Sequence, residues 1–230
     1  TNIRSSEKNR YQNALTVGNC KLDMVFTDVF GKSSSNIANL ILSDKEYTEE
    51  DILSKVHKSC KASNEDIINA VSGIDLTPVQ KARIHVIQKH MDQVNENINE
   101  INKLIDIMAK PFEDDINFLC QIPGVKRDSA IVILSEIGND MEQFKTARRI
   151  TSWAGLAPTN NQSAGKKKSV KISRAGVYLK PCLVEVAHAA IKDKEHPYYA
   201  NKFNKISKRR GKKRAYIAIA RKILIAIYHM

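Results

Sequence analysis

One serine next to a run of lysines is the feature of this sequence best suited to chemistry. Ser163 lies in the segment "NNQSAGKKKSVKISRAG" (residues 160–176), just before Ala164 and Gly165. Its hydroxyl could hydrogen-bond a phosphate or attack it as a nucleophile. Basic side chains close by in the sequence could bind and neutralise that phosphate, and they are Lys166, Lys167, Lys168, Lys171 and Arg174. The residues alone leave both roles of Ser163 open.

Two neighbouring serines have simpler explanations. Ser173 stands where an N-cap would begin a helix over "RAGVYL", because serine at that position accepts a hydrogen bond from the first turn. Ser169 belongs to the polar run before it. Ser163 is therefore the strongest candidate nucleophile in the segment.

The positive charge of the chain is concentrated near one end. The formal net charge is +12 over 230 residues. Residues 161–222 hold eighteen Lys and Arg against three Asp and Glu, a local +15, so the rest of the chain carries −3. The densest cations are Lys208, Arg209, Arg210, Lys212, Lys213 and Arg214. Such a concentration predicts a polyanionic partner, of which nucleic acid is the commonest, and argues against a purely structural coiled-coil adaptor.

Several other classes of protein fit the sequence poorly. Four cysteines stand far apart without a CxxC pair, which predicts neither a zinc site nor a disulfide framework and fits a reducing cytosol; they are Cys20, Cys60, Cys120 and Cys182. The longest apolar stretch is interrupted by Arg221 and Lys222, so no membrane partner is predicted. The acidic cluster 113–115 follows Pro111 and suits a helix N-terminus better than a metal site. We predict no metal or cofactor site within this chain.

The elements that must position these residues are predicted to be mainly α-helical. Residues 1–75 show short helical patterns, and residues 76–110 predict one long helix with Thr77 as N-cap and Pro78 in the first turn. Apolar residues recur along this helix at alternating spacings of 3 and 4, namely Ile84, Ile87, Met91, Val94, Ile98, Ile101, Ile105 and Met108. This seam is typical of a coiled coil and predicts a homo-oligomer, a dimer or higher. The alternative is a long helix packed within its own domain.

Residues 111–230 are predicted to form a C-terminal helical domain that opens with a helix-hairpin-helix motif. In "INFLCQIPGVKRDSAIVILSEIG" an apolar helix end is followed by a turn containing Gly124 and by a second helix. Such hairpins present backbone N–H groups to a DNA phosphate. The usual second glycine is replaced by Lys126. Either Lys126 adds a phosphate contact or the hairpin is only a structural corner, and the sequence leaves both open.

Residues 117–230 resemble the C-terminal domain of transposases of the insertion sequence 110 family. The resemblance rests on the hairpin, "F.TARRITSWAGLAP", the serine before Gly-Lys, "ISRAG" and the basic "RGKKR…AIARKIL" tail. It implies an RNA-guided recombinase in which a RuvC-like domain carries four acidic ligands for Mg²⁺ and the C-terminal domain supplies a serine nucleophile. On the matching "QSAGK" motif that serine is Ser163. The chain begins at Thr1 with helix-like sequence, so we expect it to be a fragment without the RuvC-like domain and inactive alone.

The resemblance implies DNA and a guide RNA as partners, and a place at the bacterial nucleoid. A second class of function is a helix-hairpin-helix module that binds nucleic acid without catalysis. One departure from the family pattern concerns the segment after "ISRAG": Pro181 is expected to kink a helix over residues 174–192 or to restart it at Cys182.

Overall fold

The computed structural model describes residues 2–43, 46–158, 161–163, 166–169 and 171–230, with the backbone alone at 161–163 and 166–169. The protein is mainly α-helical, as predicted. It divides into two compact units, Thr1–Ile105 and Asp106–Met230. The division falls inside the long helix predicted over residues 76–110, whereas the sequence suggested that this helix is a segment of its own.

Unit 1 is a set of helices around one apolar core. The first five helices are α1 Asn2–Val17, α2 Leu22–Val25, α3 Lys32–Leu42, α4 Glu49–Ser54 and α5 Asn64–Val71, and the sixth, α6 Pro78–Ala109, continues into unit 2. Side-chain caps start α4 and α5, where Thr48 accepts from Asp51 N–H and Ser63 accepts from Asp66 N–H. The core contains buried residues from all six helices, and those from α6 come from its N-terminal half only. Leu15, Ile37, Ile67 and Ile84 are among its most deeply buried residues.

Helix α6 begins as the sequence predicts. The Thr77 hydroxyl accepts from the Gln80 N–H at 3.3 Å, and the side-chain carbonyl oxygen of Gln80 accepts from the Thr77 N–H at 2.8 Å. This reciprocal cap satisfies two N–H groups at the start of the helix, with Pro78 in the first turn, where its missing N–H costs nothing.

The predicted coiled-coil seam is wrong over the first turns of α6. Ile84 and Ile87 are buried in the core of unit 1, so they are not available to a second chain. Further along, the apolar side chains become exposed: Ile101 by 55%, Ile105 by 40% and Met108 by 74%. The alternative interpretation, packing within the helix's own domain, holds for the N-terminal half only.

Unit 2 is built around the C-terminal helix. Its elements after the short 3₁₀ turn Lys110–Phe112 are α7 Glu113–Leu119, α8 Arg127–Ile137, α9 Ala147–Trp153, the strands β1 Asn161–Ser163 and β2 Lys166–Ser169, α10 Leu179–Ala190, α11 Tyr198–Arg210 and α12 Lys212–His229. Helix α12 packs against α9, α10 and α11. It buries Ala215, Ile219, Ile223 and Ile227 because these residues recur at helical spacing on one face.

Two predictions about the segment before α10 are wrong. Ser173 does not cap a helix over "RAGVYL": its hydroxyl accepts from the Ala175 N–H at 3.3 Å within a bend, and α10 begins only at Leu179. Pro181 neither kinks nor restarts the helix. It lies in the first turn of α10, where its N–H would have had no intrahelical acceptor.

None of the helices in the part of the chain that the structure describes combines the length and the apolar character needed to cross a membrane.

Candidate nucleic-acid site

Ser163 is the last residue of the first strand of a small antiparallel hairpin. Strand β1 pairs with β2 so that Ser163 lies opposite Lys166 and Gln162 opposite Lys167. Outside the strands, an isolated antiparallel bridge joins Pro158 and Ile172. Ala164 and Gly165 lie outside the described residues, as do the side chains of Ser163 and of the three lysines 166–168. The backbone register thus brings the candidate nucleophile and the first lysine of the run together on neighbouring strands.

Two glycines fix the base of this hairpin. Gly155 and Gly176 both have φ of +67°, a left-handed conformation that favours glycine. A Cβ on Gly155 would lie 2.5 Å from the Ala175 carbonyl oxygen, and a Cβ on Gly176 would lie 2.3 Å from the Ala154 carbonyl oxygen. The chain entering the hairpin and the chain leaving it therefore touch backbone to backbone, which requires the absence of both side chains.

Lys180 closes the same base from the first turn of α10. Its ammonium donates to the carbonyl oxygens of Ser173 at 2.9 Å and of Ala175 at 2.7 Å. Both carbonyls belong to the chain that returns from the hairpin to α10. Lys180 thus ties this return segment to the helix. Arg174, between the two carbonyls, is exposed, as is Lys171.

Six cations surround the sharp corner between α11 and α12; we call them the basic corner. Gly211, with φ of +83°, ends α11 and begins α12, and a Cβ on it would meet nothing within 4 Å. All six side chains are exposed, and within the described residues none of them forms an ion pair; they are Lys208, Arg209, Arg210, Lys212, Lys213 and Arg214. The first turn of α12 also carries no acidic residue and no side-chain cap. Charge and unsatisfied N–H groups at this corner both favour a phosphate.

The hairpin base and the basic corner belong to opposite ends of α12. Near its start, the Tyr216 ring stacks on His188 at 3.5 Å between centroids. Near its end, the Tyr228 hydroxyl donates to the Phe144 carbonyl oxygen at 2.9 Å, and the Phe144 ring lies 5.5 Å from that of Trp153, which directly precedes the hairpin base. At about 1.5 Å per residue, Lys212 and Tyr228 are roughly 24 Å apart along the helix.

The segment predicted to form a helix-hairpin-helix motif contains two helices, α7 and α8, joined by a turn. Gly124 there has φ of +86°, and a Cβ on it would lie 2.6 Å from both the Val186 carbonyl oxygen and the Ala190 nitrogen of α10. The Lys126 N–H donates to the Ser129 hydroxyl at 2.8 Å. Packing against α10 thus accounts for Gly124, and the Lys126 N–H is occupied. These contacts favour the structural alternative, while phosphate binding by the exposed Lys126 side chain stays a prediction.

An apolar groove of about 510 Å³ separates this corner from the start of α10. Asp128 and Glu185 line it, which disfavours a phosphate there. Burial raises the pKa of the Cys182 thiol in its wall to about 11, so this cysteine stays protonated near neutral pH and is a poor nucleophile.

The acidic cluster at the start of α7 serves the fold, as predicted. Glu113 accepts from the Arg127 guanidinium at 2.6 and 2.7 Å, and the Asn139 amide donates to Asp115 at 3.4 Å. Glu113 and Asp115 thus have different partners instead of converging on one point. Among the residues that the structure describes, no group of three or more His, Cys, Asp or Glu side chains is placed to hold a metal ion, so these residues do not fit a Mg²⁺ site.

The sequence interpretation missed the residues that hold the hairpin: Gly155, Gly176 and Lys180. A signal was present, because "WAGLAP" and "SRAG" each place Ala-Gly at the edge of the serine-lysine segment. Glycine after alanine at both edges is consistent with two backbones in close contact, but only the fold shows that they meet each other.

The comparisons with known proteins point to transposases. Residues 116–202 match the Transposase IS116/IS110/IS902 family. The chain is 29% identical over 168 residues to the transposase for insertion sequence element IS1111A of Coxiella burnetii, covering 68% of this chain and 43% of that protein. It is 31% identical over 78 residues to a probable family 20 transposase of Pseudomonas aeruginosa, covering 34% of this chain and 23% of that protein. The chain thus spans less than half of the length of these relatives. No solved structure matches it.

Proposed function

Because the chain belongs to the IS116/IS110/IS902 family of transposases, we propose that it binds DNA and supplies the Ser163 hydroxyl as the nucleophile of strand exchange. The observation that carries this proposal is the hairpin: Ser163 lies opposite Lys166 on a pair of strands whose base is fixed by Gly155 and Gly176. Such a support can present a nucleophile to a phosphate, because the contact at Gly155 and Gly176 fixes where the two chains of the hairpin leave the helices.

DNA binding is supported by the exposed charge. The basic corner carries six cations without ion-pair partners in the described part of the chain, so phosphates would not have to displace carboxylates there. Since this corner and the hairpin base belong to opposite ends of α12, one duplex could contact both over about seven base pairs, at roughly 3.4 Å per base pair. The corner then positions the DNA and contributes affinity, while the hairpin contributes chemistry.

The chemical step is a transesterification. The Ser163 Oγ attacks the phosphorus of a DNA phosphodiester, a new Oγ–P bond forms, and the bond between phosphorus and the leaving oxygen breaks. The proton of the hydroxyl is lost to a base, and the departing strand takes up a proton on its new hydroxyl. The phosphoserine ester keeps the energy of the broken bond, so a second DNA hydroxyl can attack it without ATP. Lysines 166–168 and Lys171 stabilise the charge on the phosphate.

The remaining parts of the reaction lie outside the described residues. The resemblance implies that carboxylates of a RuvC-like domain bind Mg²⁺, which would supply Lewis-acid assistance to the attack. Guidance by an RNA, and work at the bacterial nucleoid, belong to the same proposal. We expect the chain by itself to bind DNA without cutting or joining it.

The decisive experiment replaces Ser163 in a transposase that carries this chain behind a RuvC-like domain. Ser163→Ala removes the hydroxyl and leaves the lysines, so DNA binding should survive while strand exchange falls by at least about 10³-fold. Ser169→Ala, at the end of β2, is the matched control and should keep activity. Mass spectrometry of trapped complexes should find the nucleotide adduct on Ser163.

The outcome also separates the two classes of function. A module that binds nucleic acid without catalysis would tolerate Ser163→Ala and give no adduct. An adduct mapped to Ser169 or Ser173, with Ser163 unmodified, would refute the assignment of the nucleophile while leaving a recombinase in place.

Self-association is proposed for the C-terminal half of α6 only. Ile101, Ile105 and Met108 are exposed apolar residues at spacings of 4 and 3, a pattern that suits pairing with a second copy of the helix. Ile101→Lys should shift the chain toward monomer in light scattering. A monomer at micromolar concentration before any substitution would contradict the proposal.

A further inference from the structure

A cavity in unit 1 lies against the start of α3, far in sequence from the serine and the basic corner. It has a volume of about 310 Å³, and Gly31, Lys32, Ser33 and Ser34 contribute to its wall. Helix α3 is eleven residues long, its first turn contains no acidic residue, and Gly31 at the N-cap provides no side-chain acceptor. The first intrahelical bond runs from the Ser35 N–H to the Gly31 carbonyl oxygen at 2.9 Å.

Three N–H groups of this first turn lack an acceptor among the described residues. Within the described part of the chain, those of Lys32, Ser33 and Ser34 have no hydrogen-bond acceptor. Three unsatisfied N–H groups and the positive end of the helix dipole favour an anion. The Lys32 side chain is exposed at the same place and adds a positive charge.

A second observation points independently to a missing partner. Ser34 lines the cavity and has no exposed surface, yet its hydroxyl has no hydrogen-bond partner among the described residues. A serine in the first turn of a helix normally finds an acceptor or a donor, because a buried hydroxyl left unpaired is costly. A ligand that accepts hydrogen bonds would satisfy this hydroxyl and the three N–H groups together.

The segment 57–60 also contributes to the wall of the cavity. The His57 backbone N–H donates to the Ser33 hydroxyl at 2.9 Å, which ties the 57–60 segment to α3. The His57 Nδ1 lies 2.8 Å from the Ser59 hydroxyl oxygen and 3.2 Å from the Ser59 backbone nitrogen, so Ser59 holds the ring in place. His57 also lines the cavity, which places its ring beside the first turn of α3.

We propose that this cavity is an oxyanion site that binds a phosphate group through the first turn of α3, the Ser34 hydroxyl and the His57 ring. One carboxylate opposes it: Asp28 also lines the cavity, although its oxygen accepts from the Phe30 N–H at 3.0 Å. The site is independent of Ser163 and of the family assignment. The same chemistry would recognise free phosphate or a phosphate of a nucleic-acid backbone.

The test is a site-resolved titration of the 230-residue chain by amide NMR. Inorganic phosphate, compared with sodium chloride at equal ionic strength, should shift the amides of Lys32, Ser33 and Ser34. Ser34→Ala should weaken this binding about tenfold, because it removes one hydrogen bond to a charged group. Asp28→Asn should strengthen it, since the amide oxygen can still accept from Phe30 while the negative charge is gone.

Thermal unfolding of the variants distinguishes a loss of phosphate binding from a loss of folding. In chloride, Ser34→Ala should be at least as stable as the unmodified chain, because it removes an unpaired hydroxyl; in phosphate it should lose the stabilisation that the ligand provides. His57→Gln, at an exposed position, offers a second variant and should also weaken phosphate binding. Absence of shifts at residues 32–34, or a phosphate affinity unchanged by Ser34→Ala and His57→Gln, would overturn the proposal.

A second titration identifies the source of the phosphate. A single-stranded DNA of twelve nucleotides that shifts the same amides at a lower concentration of phosphate groups would assign the site to a nucleic-acid backbone. Shifts with inorganic phosphate and none with the oligonucleotide would assign it to free phosphate. Either result supports the oxyanion site.

Discussion

The two ends of α12 are built on opposite principles. At the hairpin base, Gly155 and Gly176 bring two stretches of backbone into contact, so that added Cβ atoms would lie 2.5 and 2.3 Å from carbonyl oxygens. At the basic corner, Gly211 also has a positive φ, but a Cβ on it would meet nothing within 4 Å. Close backbone packing characterises the hairpin base, whereas exposed positive charge characterises the basic corner. This matches what each is proposed to do, because a nucleophile needs a defined position whereas nonspecific phosphate contacts tolerate variation.

The largest effect is expected for Gly176→Ala. The new methyl group would overlap the Ala154 carbonyl oxygen, and the left-handed backbone would be strained as well. We expect the unfolding free energy to fall by about 4 kcal/mol, measured by urea denaturation, or the hairpin to separate at its base. A decrease below about 1 kcal/mol would show that the base can relax, and would remove the support on which the position of Ser163 depends.

The second effect concerns affinity rather than stability. Replacing Arg209, Arg210, Lys212 and Lys213 together with alanine should leave the fold intact, because all four side chains are exposed. Affinity for duplex DNA should fall roughly 100-fold at moderate salt, and the slope of log affinity against log salt should become shallower by up to about 0.9 for each phosphate that the variant no longer neutralises. Fluorescence anisotropy over a range of salt concentrations measures both.

A matched variant removes the same charge elsewhere. Arg4, Lys21, Lys55 and Lys89 are exposed cations of unit 1, and replacing these four with alanine lowers the net charge equally. This control should leave the salt slope nearly unchanged. Equal effects of the two variants would mean that total charge, not the basic corner, determines binding.

The smallest effect is expected for Gly211→Ala. The positive φ is the only obstacle to this substitution, because a Cβ would meet no atom within 4 Å. The unfolding free energy should therefore fall by about 2 kcal/mol, and DNA affinity should change little. Denaturation of this variant beside Gly176→Ala isolates the contribution of backbone packing at the hairpin base. If the two variants were destabilised equally, the contrast between the ends of α12 would not hold.

The sequence predicted the local features well. The cap formed by Thr77, the acidic start of α7 and the helical character of the chain all depend on neighbouring residues, and all are confirmed. The run 208–214 was identified from charge alone, and its exposure agrees with that interpretation. Local rules suffice wherever the partner of a residue lies within one or two turns of helix.

Features that depend on distant contacts could not be predicted in this way. The 3,4 pattern of α6 is continuous in sequence, yet Ile84 packs into unit 1 while Met108 is exposed, because only the first half of the helix meets the shorter helices. The packing of Gly124 against α10, more than fifty residues later, is likewise not visible in the sequence around the glycine. The role of Lys180 likewise depends on carbonyls whose position the hairpin determines.

The chemical reactivity of the Lys180 amine can report whether the hairpin base is intact. Two of the three hydrogens of its ammonium are held by the carbonyls of Ser173 and Ala175, so the amine must leave them before it can attack an acylating reagent. The exposed lysines of the basic corner have no such restraint among the described residues. Brief acetylation should therefore label Lys208, Lys212 and Lys213 well before Lys180, and early labelling of Lys180 would report that the two chains at the base have come apart.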